Sequence, residues 1–221
     1  MTNITFDKII HSDVDDVANL ICTEFGRRQV STVEDESDEE FKEYLQYIAA
    51  GCVESGLGFT AKSGNSLAGV VLCVDLQETF DSDEFIEAAK QEPMLAMLYQ
   101  LNQKYFPEMK VEKGKYLNIK FIAVNEAFSG KGISQSLIQF ALKAAKESKF
   151  SYAHTESAGS ASQYVFKKEG FTDVAETKYD DFTFNGEHYF VSSDAHQSIQ
   201  LLITNYNGTE PFKPLDKARV N

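Results

Sequence analysis

The chain is short of positive charge. Lysine and arginine number 21 against 34 aspartates and glutamates, a formal net charge of −13 at pH 7. Nucleic acid and anionic membrane both require a basic face, so neither is an expected partner. The acidity suits solubility first and the steering of a cationic amine second. Cysteine is sparse too. Cys22, Cys52 and Cys73 lie scattered in apolar surroundings without metal-ligand spacing, which argues against a disulfide framework and gives no expectation of a metal. They read as buried free thiols in a reducing compartment. No signal peptide, transit peptide or long apolar span is recognisable, so the expectation is a soluble, cytoplasmic protein. No internal repeat and no second hydrophobic core stand out. A length of 221 residues with 43% hydrophobic content suits one domain with a substantial core, expected over residues 1–206 with a tail from 207 to 221.

What the chain does have is an apolar stretch, a glycine turn and an amphipathic run in immediate succession: Phe121-Ile122-Ala123-Val124, then Asn125 to Gly132, then Ile133 onward. Tyr116 to Val124 is β-branched and aromatic enough for a strand. From Ile133 the apolar positions Leu137, Ile138, Ala141, Ala144 and Ala145 recur at helical spacing. Strand, Gly-x-Gly turn, helix aims the free N–H groups and positive dipole end of a helix start at one point. Glycine there lets a phosphate approach the backbone. The glycines alone fit equally a tight connection that carries no ligand. Gly130-Lys131-Gly132 lacks the spacing of a nucleoside-triphosphate loop, and its place past the middle of the chain does not suit a dinucleotide fold.

Along the rest of the chain, Ile4 to Ile10 reads as a first strand. Ser12 is the expected N-cap of a helix whose face carries Val14, Val17, Ala18, Ile21, Cys22 and Phe25. A second helix runs from about Glu39 to Glu54. Gly58–Lys62 and Leu67–Leu76 pair around the turn Ser63-Gly64-Asn65-Ser66. Residues 81–109 form a helical insertion, in which Pro93 marks a new helix start or a kink and Met94, Leu95, Leu98, Leu101 and Phe106 form an apolar stripe. Phe150–Ser157 is a strand, Ser160–Lys168 a short helix, Asn185-Gly186 a hairpin turn, and Ser198–Tyr206 the last strand.

The segment Ser129-Gly130-Lys131-Gly132-Ile133-Ser134 resembles the acyl-CoA motif of the GNAT superfamily of N-acetyltransferases, Gln/Arg-x-x-Gly-x-Gly/Ala. Gly132 matches the central glycine, while Ser129 and Ser134 replace the first and last members. Phe166-Lys167-Lys168-Glu169-Gly170-Phe171 resembles the family's Tyr-x-Lys-x-Gly-Phe. The stretches Lys178-Tyr179 to Gly186-Glu187, Phe190, His196 and Ser198-Ile199-Gln200-Leu201 are similar to the arylalkylamine and polyamine N-acetyltransferases of invertebrates. The resemblance implies an α/β (α+β) fold: a mixed, mostly antiparallel central sheet flanked by helices, with strands 4 and 5 splayed. It implies acetyl-CoA as cosubstrate, the primary amine of a small arylalkylamine or polyamine as acceptor, direct attack in a ternary complex, and a monomer or homodimer. Main-chain groups of Ile122, Ala123 and Val124 would meet the pantetheine, and Ser129, Gly130, Lys131, Gly132, Ile133 and Ser134 would hold the pyrophosphate. Phe166, at the family tyrosine's place, is grouped with them. Ile122 to Val124 read equally as sheet core.

The proton carriers are less legible. Phe166 has no proton to give in place of the family's general-acid tyrosine. Tyr164 is an alternative acid on another helix face, and Ser160 and Ser162 are candidates by resemblance to the invertebrate branch. Taken alone, Ser160 reads first as a natural helix N-cap and Ser162 as a first-turn surface residue. For the base, the paired histidines of the vertebrate serotonin-acetylating enzymes fall on Asn118 and Lys120. The invertebrate glutamate falls on Gln29, within Gln29-Val30-Ser31. Glu24 and Glu156 remain as candidate bases, though such a residue is more often a solvated carboxylate, and His154 and His196 read as structural residues. A protein or peptide amine acceptor and a non-catalytic acyl-CoA-binding module are the alternatives.

Overall fold

The computed structural model describes residues 4–26, 38–80 and 82–205. In chain order they form β1 (Thr5–Lys8), α1 (Val14–Gly26), α2 (Asp38–Ser55), β2 (Gly58–Ser63), β3 (Ser66–Asp75), α3 (Leu76–Phe80), α4 (Asp83–Ala88) and α5 (Pro93–Gln103). There follow β4 (Tyr116–Val124), α6 (Ile133–Glu147), β5 (Tyr152–Ser157), α7 (Ser160–Lys168), β6 (Thr172–Lys178) and β7 (Ser198–Asn205). The class is mixed α/β. The described residues divide into two compact units, one drawn from Met1–Val74 with Asn118–Glu147, the other from Asp75–Leu117 with Ser148–Asn221.

In the first unit the strands run in the order β1-β2-β3-β4. β1 pairs antiparallel with β2, and β2 with β3, with a register irregularity at Ala61/Lys62. Strand alternation sends Val70 and Leu72 to one face, where they pack with Val17, Ile21, Leu45, Ala49 and Cys52 of α1 and α2. Each fully buried aliphatic side chain there contributes roughly 1.5–3 kcal/mol. On the opposite face α6 brings Phe140 against Phe6 and Phe59, with ring centroids 5.3 and 5.9 Å apart. All six apolar positions expected from Ile133 to Ala145 are buried.

Ser12 does not cap α1. A 3₁₀ turn over His11–Asp13 precedes the helix. Asp13 accepts the N–H of Ile10 at 3.3 Å on one oxygen and the Lys62 ammonium at 2.6 Å on the other. A carboxylate that takes both a backbone donor and a cation is a stronger acceptor than the hydroxyl beside it.

In the second unit β5, β7 and β6 form an antiparallel ladder in that order. The expected helical insertion consists of α4 and α5, entered through α3, and Pro93 is the first residue of α5, a new helix start rather than a kink. Asn185-Gly186 adopts the left-handed turn expected of it, φ +52° and +84°. Its flanks close only one two-bond bridge between Phe184 and Glu187, at 2.9 and 3.0 Å. Phe182 and Phe190 pack on each other, ring centroids 5.7 Å apart.

Candidate active site

The glycine turn of the first unit is built rigidly and left open. β4 ends at Val124, and the N–H of Asn125 donates to Ala68 O at 3.0 Å, which ties the exit to β3. A 3₁₀ turn over Glu126–Phe128 follows, capped by the Asn125 side chain on the Ala127 N–H at 3.0 Å. Glu24 supports it from α1: the residue is 4% exposed, and its carboxylate accepts the Glu126 N–H at 3.2 Å. That contact places Glu24 as an anchor of the segment that carries the turn, which its sequence reading as a base did not foresee.

Gly130 and Gly132 both have φ +73°, a conformation L side chains rarely adopt. A Cβ built on either would meet nothing within 4 Å. Ser129, Gly130, Lys131 and Gly132 are exposed, so the turn is no covered connection. The first helical bond runs from Ser136 N–H to Gly132 O at 3.1 Å, so helix geometry gives the N–H groups just before Ser136 no intrahelical acceptor. The Lys131 ammonium lies 4.7 Å above the Phe128 ring, a cation held at the same place. Open space, a helix N-terminus, glycine backbone and a lysine fit a coenzyme diphosphate. Ala123 is buried, and Ile122 and Val124 are partly so.

The remaining candidates lie apart from this turn in sequence. Ser160 is the first residue of α7, not its cap: Gly159 holds that position, and the Ser160 N–H donates to Ala195 O at 2.9 Å. Ser162 accepts the Ser157 hydroxyl at 2.7 Å and donates to Gly159 O at 2.9 Å, so its proton is engaged within the helix start. Tyr164 is 67% exposed. Phe166 is buried, its ring 5.0 Å from that of Phe171. Gln29-Val30-Ser31 lie outside the described residues. His196 packs over Gly159, and its Nδ1 lies 3.3 Å from Ala158 O, a structural placement.

Phe166→Tyr restores the family's residue type at the position, but in a dry site. It should lower stability by about 1–3 kcal/mol, the penalty of an unpaired buried hydroxyl, without raising kcat. Thermal unfolding and steady-state rates on the variant check both.

Cys52 and Cys73 are buried, and Cys52 donates to Cys73 O at 3.3 Å. Burial, then the neighbouring Cys52, pushes the Cys73 thiol well above its ordinary value, so it is a poor source of thiolate. Among the described residues no group of three or more His, Cys, Asp or Glu side chains converges as a metal site, and no helix is long and apolar enough to cross a membrane. The second unit has an open cleft of about 400 Å³ lined by Gln100, Lys104, Glu176, Thr177, Lys178 and Asp181 among others. Burial lowers the Lys104 ammonium below its ordinary value, against the opposing pull of Glu176.

One residue with polar work to do was missed by sequence reading. Asn102 is fully buried on the apolar face of α5, beside Leu101 and one turn after Leu98. A polar side chain inside an otherwise apolar stripe was the signal available.

Comparison with known proteins gives the fold its relatives. No curated protein matches the chain in sequence. Among solved structures it is similar to arylalkylamine N-acetyltransferase 2 from Aedes aegypti, at 22% identity over 92% of this chain and 99% of that one, TM-score 0.73. It is similar to mosquito arylalkylamine N-acetyltransferase-like 5b, at 19% identity over 92% and 100%, TM-score 0.77. The polyamine N-acetyltransferase of Drosophila melanogaster aligns at 14% identity over 92% and 100%, TM-score 0.75. At such identities the likeness is one of fold. The acetyltransferase (GNAT) family profile matches residues 14–171, well over half the chain and including both the turn before α6 and the helix α7. The chain belongs to the GNAT family of acetyltransferases.

Proposed function

We propose that this enzyme transfers the acetyl group of acetyl-CoA to the primary amine of a small arylalkylamine or polyamine, by direct attack in a ternary complex. The observation that carries the reading is the exposed Gly130-Lys131-Gly132 turn at the start of α6, open above both glycines. Backbone N–H groups of Lys131, Gly132, Ile133 and Ser134 would hold the diphosphate, with the Lys131 ammonium beside them. When bound, acetyl-CoA supplies an activated thioester. The amine must be neutral to attack, and a donor must face the carbonyl oxygen as charge develops there. The Val124 N–H is the assigned donor. Direct attack is favoured over an acyl-enzyme because Cys52 and Cys73 are buried and none of the three cysteines, the partly buried Cys22 included, lies near the glycine turn in sequence. The amine class is supported by the names of the structural neighbours, arylalkylamine and polyamine acetyltransferases, and by the net charge of −13, which attracts a cation.

Coenzyme binding followed by calorimetry, and thiol release measured over a panel of arylethylamines, diamines and amino-terminal peptides, tests this. The expected result is binding together with turnover of a small amine. Turnover of peptides alone would reject the substrate class. Phe166 in place of the family tyrosine favours one second reading, a non-catalytic acyl-CoA-binding module. Binding without turnover of any amine selects it.

A further inference from the structure

In the second unit one lysine ties α5 to β6, the last strand of the sheet. Lys104 caps the C-terminus of α5 and sends its Nζ across to the strand. There it donates to Glu176 O at 2.6 Å and to Thr177 Oγ1 at 2.7 Å. Strand alternation turns the Glu176 side chain to the face opposite Thr177. On that face its Oε1 accepts the Ser198 hydroxyl at 2.6 Å and the Gln200 amide at 3.1 Å. The carboxylate beside the lysine is thus committed to β7, and Lys104 has no ion pair among the described residues. The open cleft of about 400 Å³ in this unit is lined by the same lysine. Gln100, one turn earlier on α5, lines it too, and its other charged groups are Glu176, Lys178 and Asp181.

An ammonium carries three hydrogens, and a neutral amine two and a lone pair. Two acceptors take two hydrogens. Loss of the third proton therefore breaks neither bond, and it leaves the lone pair directed away from both acceptors on a nitrogen that the cleft leaves accessible. Burial already favours this neutral form, with Glu176 opposing it. A fixed, partly desolvated amine of this kind is a nucleophile.

We propose that Lys104 is a modification site, acetylated on Nζ by an acetyl thioester, acetyl-CoA above all, that reaches the cleft from solution. The nitrogen lone pair forms the C–N bond to the acetyl carbon as the C–S bond breaks. The electrons of that bond leave on sulfur, and the thiol takes the proton that the nitrogen loses. The product amide keeps one hydrogen and no charge, so one of the two ties between α5 and β6 is given up. The assignment does not depend on which amine the enzyme acetylates.

The full chain incubated with acetyl-CoA at about pH 8, with acetylation followed at each lysine by peptide mass spectrometry, tests this. Lys104 should acquire acetyl about fivefold faster than the median lysine of the chain. S-acetyl-N-acetylcysteamine, a thioester without a nucleotide, should show the same preference, because the setting of the amine and not coenzyme recognition confers it. Thr177→Val keeps the branched shape and removes one acceptor. It should bring the rate at Lys104 to within about twofold of the median. Lys104→Arg keeps the charge and the donors and should abolish the fast phase of uptake. A Lys104 rate at or below the median overturns the assignment. So does a preference seen with acetyl-CoA and absent with the small thioester, or one that survives Thr177→Val undiminished.

Discussion

Gly132→Glu is expected to weaken coenzyme A binding about 1,000-fold while the protein stays folded. The substitution acts twice on the same spot. At φ +73° a side chain costs roughly 1–2 kcal/mol of backbone strain, which a folded domain of this size tolerates. The new carboxylate stands at the start of α6, where it would itself take up the helix N–H groups and repel a diphosphate. Two charge-assisted hydrogen bonds at about 2 kcal/mol each are then lost. About 4 kcal/mol corresponds to about 1,000-fold in Kd. Gly132→Ala separates the two effects: it carries the strain without the charge and should cost about 10-fold or less. Calorimetry with CoA and a thermal melt on each variant decide it. A glutamate variant that binds within about threefold of wild type would falsify the diphosphate assignment and the functional reading built on it.

Local pattern was legible and long-range partnership was not. The α6 stripe from Ile133 to Ala145 is buried as its spacing dictates, because a period of 3.6 residues leaves one face with nowhere else to go. The Gly-Lys-Gly turn was readable for the same reason: its left-handed glycines are a local demand of the backbone. Single hydrogen-bond choices were harder. Ser12 was the expected cap, but a 3₁₀ turn precedes α1, and the carboxylate of Asp13 takes the Ile10 N–H and the ammonium of Lys62, which comes from a strand far along the chain. The carboxylates show the limit most clearly. Glu24 and Glu156 looked alike in sequence, each an acidic residue near the end of an element. Hydrogen-bond partners of the two lie 102 and 54 residues away, the Glu126 N–H and the Asn102 amide. No periodicity carries that information. Phe166 was legible as a departure from the family's tyrosine, but its burial against Phe171 is a property of packing.

Gly69→Val should lower stability by about 3 kcal/mol and weaken coenzyme binding as well, although residue 69 is on β3 and not in the turn. Gly69 faces α6. A Cβ placed there would lie 2.9 Å from Ile133 Cγ2, 3.2 Å from Leu137 Cδ1 and 3.1 Å from the main-chain oxygen of Ala123. Two of these neighbours are side chains in the first turns of α6, and the third is backbone of β4, which cannot rotate aside. The helix start must therefore shift outward. Overpacking of this kind costs 1–3 kcal/mol and more when backbone has to move. For a protein of this length about 3 kcal/mol corresponds to a fall of about 9 °C in Tm. Because Ile133 opens α6 directly after Gly132, the displacement moves the N–H groups assigned to the diphosphate, and geometry lost there should reduce CoA affinity about 10-fold. Gly69→Ala, with only the Cβ to place, should show both effects in smaller measure. The stability loss alone would follow from any crowded core. The coupled loss of affinity follows only if the start of α6 is the coenzyme site, so a valine variant with a lowered Tm and undiminished CoA binding would count against that placement.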